Sequence, residues 1–98
     1  MPNLFVGSIG EQIILNVGLD ISTATNQEIR YKRPNGTVGR WDAELYDGQS
    51  IVYVTKTEDD LNLPGTWELQ SYVELPDWSG YGDIASVVVY DKLQEGQY

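Results

Sequence analysis

The chain has no cysteine and no histidine among its 98 residues. Without Cys there is neither a disulfide framework nor a thiolate metal site, so a domain this small is held by packing alone or by its neighbours in an assembly. Without His the commonest general base and the common zinc sites are excluded, and with Cys also absent no thiol nucleophile exists. Basic residues are scarce too: 6 Lys and Arg stand against 15 Asp and Glu, for a formal net charge of -9. That balance disfavours a nucleic-acid partner, because phosphate recognition needs clustered cations. No apolar run approaches the roughly 20 residues that cross a bilayer, so no membrane partner is expected. Met1-Pro2-Asn3 lacks the charged and apolar regions of a signal peptide, so the protein is expected to be made in a cytoplasm and not exported by the common route.

What is present is strand pattern. From Trp67 to Leu75, residues Trp67, Leu69, Ser71, Val73 and Leu75 alternate with Glu68, Gln70, Tyr72 and Glu74, which predicts a strand with one wet face. Pro64-Gly65 opens it and Pro76-Asp77 closes it, since Pro cannot donate to a sheet ladder. Leu4-Phe5-Val6 and Glu11 to Val17 read as an interrupted first strand and a second one. Gly18 to Gln27 is polar enough to be a crossing between sheets, with Ile21 and Ala24 as its plugs into the core. Glu28 to Arg33 and Val38 to Leu45 form a hairpin about Pro34-Asn35-Gly36-Thr37. On its return arm Trp41, Ala43 and Leu45 share a face, leaving Arg40, Asp42 and Glu44 outward, where opposite charges pair across the hairpin with Arg30 and Lys32.

Ser50 to Thr55 is a β-branched and aromatic strand, and Thr57 to Leu61 a short 3₁₀ turn rather than a helix, because Pro64 follows so soon. Pro76 to Asp83, with Trp78, Gly80, Tyr81 and Gly82, is expected to be a loop, and Ile84 to Tyr90 the closing strand. Short strands spaced by turn signals, with no helical period, predict an all-β, immunoglobulin-like β-sandwich of about seven strands. A small Greek-key barrel or jelly roll is the competing architecture. Residues 1–90 form one domain in this reading, and 91–98 a polar C-terminal tail.

Carboxylates alone could carry catalysis, and Asp42, Glu44, Glu68 and Glu74 all fall on wet strand faces with no cleft between them. No catalytic residue, cofactor-binding residue or metal ligand is assigned, and the expectation is that the chain is not an enzyme and carries no cofactor. Glu58-Asp59-Asp60, with Asn62 nearby, could surround a calcium ion, but the spacing fits no EF-hand and a solvated corner is the simpler reading. Asn35-Gly36-Thr37 fits a glycosylation sequon, yet reads better as the hairpin turn. Trp78, Tyr81 and Tyr72 are the partner-binding candidates, since Trp and Tyr are enriched at interface hot spots. Three roles stay open for this cluster: capping the end of the sandwich, meeting a protein partner, or stacking on a sugar ring. Arg30, Lys32, Arg33 and Arg40 make a basic patch that pairs with Asp42, Glu44 and Glu68 or docks an acidic neighbour.

The order of Gly7-Ser8-Ile9-Gly10, Ile13-Ile14-Leu15, Leu19 to Thr25, Arg33 to Thr37, Trp41, Leu63 to Trp67 and Glu74 to Gly80 resembles that of small immunoglobulin-like structural proteins of tailed bacteriophages. The resemblance spans most of the chain up to about Tyr90. It implies a non-enzymatic virion component, a capsid decoration or a tail or baseplate part, made in the host bacterial cytoplasm and located in the virion. The partners implied are other virion proteins and further copies of itself as a homo-oligomer in the assembled particle. A carbohydrate-binding or host-surface adhesion module, with host-surface glycan as partner, is the alternative. A host-directed inhibitor that imitates nucleic acid follows from the charge alone.

Overall fold

The computed structural model describes residues 4–93, and among these every regular element is a strand. In chain order they are β1 (Leu4–Phe5), β2 (Gln12–Asn16), β3 (Asn26–Lys32), β4 (Val38–Asp42), β5 (Glu44–Leu45), β6 (Ser50–Val54), β7 (Gly65–Leu75) and β8 (Trp78–Tyr90). A five-stranded sheet runs β1-β8-β7-β3-β4 and a three-stranded sheet runs β2-β6-β5. All neighbours are antiparallel except β1, which lies parallel to β8. This is the strand order of an immunoglobulin-like sandwich, with the hairpin-linked pairs β3-β4 and β7-β8 in one layer and β2, β6 and β5 in the other.

The core follows the period of two. Ile13 and Leu15 of β2, Ile51 and Tyr53 of β6, Ile29 of β3, Trp41 of β4, and Trp67, Leu69 and Val73 of β7 face one another between the sheets, all buried. Trp67 is fully buried; its ring lies 5.4 Å from Tyr31 and 6.1 Å from Trp41, and Trp41 stacks on Tyr53 at 4.9 Å. Its indole N–H donates to the Leu63 carbonyl at 2.9 Å, which ties the start of β7 to the corner before it. Ile21 and Leu61, from the β2-β3 and β6-β7 crossings between the sheets, plug the core's flanks. At the β3-β4 turn the Thr37 amide and hydroxyl both donate to Asn35 Oδ1, and Gly36 has φ 88°, a value that an L side chain rarely adopts.

The β-sandwich of about seven strands is borne out with eight, and three finer expectations change. The return arm of the first hairpin breaks at Ala43: the Ala43 amide bonds the Gln27 carbonyl of β3, and the next two residues join β6 in the other sheet. Leu45 is therefore 39% exposed instead of sharing the buried face of Trp41 and Ala43. The segment from Trp78 to Asp83 is not a loop. It is the first half of β8, paired with β7 down to Leu75↔Trp78, so that only Pro76 and Asp77 turn the chain. The acid that pairs with the basic residues is Glu28, not Asp42, Glu44 or Glu68. Of the expected tail, Asp91 to Leu93 joins neither sheet, and 94–98 lies outside the described residues.

The long hairpin gives the described residues their elongated form, 53 × 24 × 20 Å, since the 13 residues of β8 alone extend about 40 Å. Midway it carries a bulge: Gln70 pairs with Ile84 but Tyr72 with Tyr81, so β8 holds one extra residue. Side chains before and after that point change sides relative to a simple alternation.

Candidate functional site

The outer face of the five-stranded sheet collects the residues that core packing does not use. Reading across β4, β3, β7 and β8, one row is Arg40, Arg30, Gln70 and Ile84, and the next is Asp42, Glu28, Tyr72 and Tyr81. Arg30 is the centre of the two rows. Its Nε and Nη2 both donate to Glu28 Oε1 at 3.3 Å, and its Nη1 donates to the Tyr81 hydroxyl at 2.7 Å. The guanidinium lies 4.4 Å over the Tyr72 ring and 5.2 Å from that of Tyr81, near enough for cation–π attraction worth about 0.5–1 kcal/mol at an exposed site.

Glu28 is the buried charge beneath this face, 7% exposed. Its second oxygen takes Arg40 at 3.5 Å, so one carboxylate sits between two guanidiniums that face each other across β3 and β4. A carboxylate so enclosed is stable only because it is paired and hydrogen-bonded. Tyr72 donates to Glu74 at 3.0 Å, and that bond together with partial burial raises the phenol above its ordinary range. The rings of Tyr72 and Tyr81 are 5.1 Å apart and tilted by 48°. Beside the cluster is an open hollow of about 640 Å³, lined by Arg30, Lys32, Val38, Arg40, Gln70 and Ile84.

Of the three aromatic candidates, the structure brings Tyr72 and Tyr81 together and sets Trp78 apart. Trp78 pairs with Leu75 on the opposite face of the hairpin, because the separation from Tyr81 is odd. Its indole lies flat along Gly80: a Cβ there would stand 2.6 Å from the ring, so glycine makes room for it. Trp78 is 40% exposed and Tyr81 51%. Val17 of the second layer meets the hairpin at Gly82, and Trp78 is four residues farther out toward the tip.

The basic residues do not form one patch. Arg33 turns away from the outer face to the Trp67 end of the core, where its guanidinium lies 4.8 Å from the Tyr31 ring and donates to Asn62 Oδ1 at 3.1 Å. Asp60 is likewise occupied. Its Oδ2 accepts from the amides of Lys56 and Thr57 at 2.7 and 3.2 Å and from the Tyr53 hydroxyl at 2.8 Å. Burial opposes its ionisation, but these donors outweigh burial and hold the carboxyl below its ordinary range. Burial and the Asp60 bond push the Tyr53 phenol well above its own. The four carboxylates considered for catalysis are spread out: Asp42, Glu68 and Glu74 on the outer face of the larger sheet, Glu44 on the other layer.

Sequence reasoning missed Glu28 and the central part of Arg30. It also passed over Phe5, Ile84, Val88 and Tyr90, which are 42%, 60%, 47% and 47% exposed along β1 and β8. The run Ile84-Ala85-Ser86-Val87-Val88 was the available signal, since its alternate residues had to face outward. No protein-family model and no curated protein matches this chain.

Proposed function

We propose that this chain is a non-enzymatic structural protein of a bacteriophage virion, a capsid decoration or a tail or baseplate component, that works by docking onto other virion proteins. The phage assignment rests on the order of motifs in the sequence. The docking reading rests on one observation: the β7-β8 hairpin carries Tyr81 and Trp78 exposed on its two faces, with an arginine held against the tyrosines. Trp, Tyr and Arg are the residue types that dominate interface hot spots, and the two aromatics cover a large area with little rotamer entropy to lose. Glu28 fixes Arg30 in place before any partner arrives, which lowers the ordering cost of docking.

The glycan alternative is less well served by this arrangement. Sugar stacking is best served by coplanar open ring faces, and here Arg30 lies over Tyr72 while the rings of Tyr72 and Tyr81 are inclined to each other by 48°. The test is cosedimentation of the purified protein with particles assembled without it, using the parent chain and the Trp78→Ala and Tyr81→Ala variants. Saturable binding that either substitution weakens by about tenfold or more supports the proposal. Parent protein that stays in the supernatant, or variants that bind as the parent does while keeping their fold, overturns it.

A further inference from the structure

We infer that the hollow on the outer face of the larger sheet seats an extended segment of a partner protein, one that carries an acidic side chain flanked, two residues away on either side, by apolar ones. The hollow exists because both arginines lean away from it. Arg30 is drawn to Glu28 and Tyr81, and Arg40 to Glu28, all toward the neighbouring row. That leaves the space between Val38 on β4 and Ile84 on β8 unfilled, with these two exposed side chains as its apolar walls. Beneath it the side chains of Tyr31 and Leu69 face the core, and Gly39 has none.

The charge of the lining selects the central side chain. Arg30, Lys32 and Arg40 bring three positive charges; Glu28 offsets one through its ion pairs with the arginines, and Glu68 on the rim offsets a second. One positive charge is left over, in a chain whose net charge is -9. Lys32 is where it is accessible: it stands opposite Glu68 in register, yet among the described residues no ion pair joins the two. A single carboxylate fits that balance. A nucleic-acid backbone, charged at every phosphate, would meet one spare cation on a strongly negative body. The spacing selects the rest. Val38 and Ile84 are three strand spacings apart, about 14 Å, and slightly more for their offset by one row. In an extended chain, side chains two residues apart on one face are separated by about 6.6 Å, so those four residues apart span about 13 Å. A segment laid across the strands therefore rests its outer two side chains on Val38 and Ile84 and hangs the middle one over β3 and β7, beside Lys32. A small-molecule site encloses most of its ligand, and this hollow is open on its outer side, so a protein surface that seals the face as it binds is the fitting occupant. The inference rests on the docking reading for this class of occupant, and its test uses no particles, so either can fail alone.

The probe is a capped peptide of sequence valine-serine-glutamate-serine-valine, titrated to about 5 mM into about 0.1 mM of the full chain and followed by NMR shifts of backbone and side-chain amides. The expected result is saturable movement at Lys32, Val38, Gln70 and Ile84, half-complete below about 2 mM. The same peptide with glutamine at its centre should bind at least about threefold more weakly, the scale of one partly exposed ion pair. Net charge alone predicts the reverse order, since an acidic body repels the glutamate peptide. Lys32→Gln and Ile84→Thr should each weaken binding by about threefold or more, and Lys92→Gln, which removes an equal charge outside the hollow, should leave it unchanged. The spectra report that each variant is folded; where one is not, the parent's shift map and the two peptides still decide. No saturation up to about 5 mM, movement centred elsewhere, a glutamine peptide that binds as tightly, or a folded Lys32→Gln variant that binds as the parent does overturns the inference. So do the same shifts from acetate alone, which would make the hollow a free-anion site, or shifts that follow protein concentration without peptide, which would make the occupant a second copy.

Discussion

Replacing Glu28 by Gln removes the carboxylate between Arg30 and Arg40 while keeping the side chain's size and shape. The parent arrangement has two hydrogen bonds from Arg30 at 3.3 Å and one ion pair with Arg40 at 3.5 Å. A hydrogen bond to a charged group is worth about 1.5–3 kcal/mol when both partners are buried. Here the discount is large, because the Arg30 and Arg40 side chains are 40% and 66% exposed and exposed pairs contribute about 0–1 kcal/mol. Gln can still accept one bond from Arg30. Against that, the two guanidiniums stand directly across from each other with nothing between them, which costs a further few tenths of a kcal/mol. The expected loss is about 1 kcal/mol, or about 4–8 °C in Tm for a domain of this size. Urea unfolding followed by Trp emission measures it. Adding Arg40→Gln to Glu28→Gln should return part of the loss, since it removes the repulsion. A Glu28→Gln variant within about 0.5 kcal/mol of the parent, with no recovery from Arg40→Gln, would refute the reasoning.

Asp60→Asn should cost about 1–2 kcal/mol by weakening the bonds from Lys56, Thr57 and Tyr53, read from the same urea curves. The folded-state pKa of Asp60 is lowered, so its stabilisation is complete above the unfolded carboxylate range and drains away as pH falls through the folded value; the variant's stability should fall less steeply on the acid side. Ser71 Oγ, buried and without a hydrogen-bond partner among the described residues, makes Ser71→Ala neutral or stabilising by up to about 1 kcal/mol, and a measured loss of that size would show that the hydroxyl has a partner. Gly80→Val should lift the Trp78 indole from the hairpin and shift its emission to the red, with Tm changed by only a few degrees; an unmoved spectrum would contradict the packing of the ring on Gly80.

The strands easiest to read in the sequence were those whose alternation coincides with a layered core. Trp67, Leu69, Ser71 and Val73 are all buried as the pattern of β7 requires, and Asn35-Gly36 turns the β3-β4 hairpin because its backbone needs positive φ there. Two features were out of reach for local reasons. Gly80 and Gly82 give Trp78 to Asp83 the composition of a loop, and only the length of β7 beside it makes it a strand. The alternation Trp41, Ala43, Leu45 continues without a break in the sequence, although the chain changes sheets after Ala43; that break is set by pairing with β6, a long-range matter. In the candidate site, residue types pointed to Tyr72, Tyr81 and Trp78, but the extra residue of the bulge decides which of them share a face. Nothing in the sequence singles out Glu28, which falls at an outward position of the β3 alternation. Its burial comes from Arg30 on its own strand and Arg40 on the next, which no pattern within β3 contains.

Hydroxyl-radical footprinting of the protein, free and bound to particles assembled without it, tests the docking face most directly because it reads side-chain exposure at named residues. Tyr46, 53% exposed at the turn between β5 and β6, is the internal reference. Docking through the β7-β8 hairpin predicts that oxidation of Trp78 and Tyr81 falls several-fold on the particle while that of Tyr46 holds constant. Protection of Tyr46 with Trp78 and Tyr81 oxidised as in the free protein would contradict it.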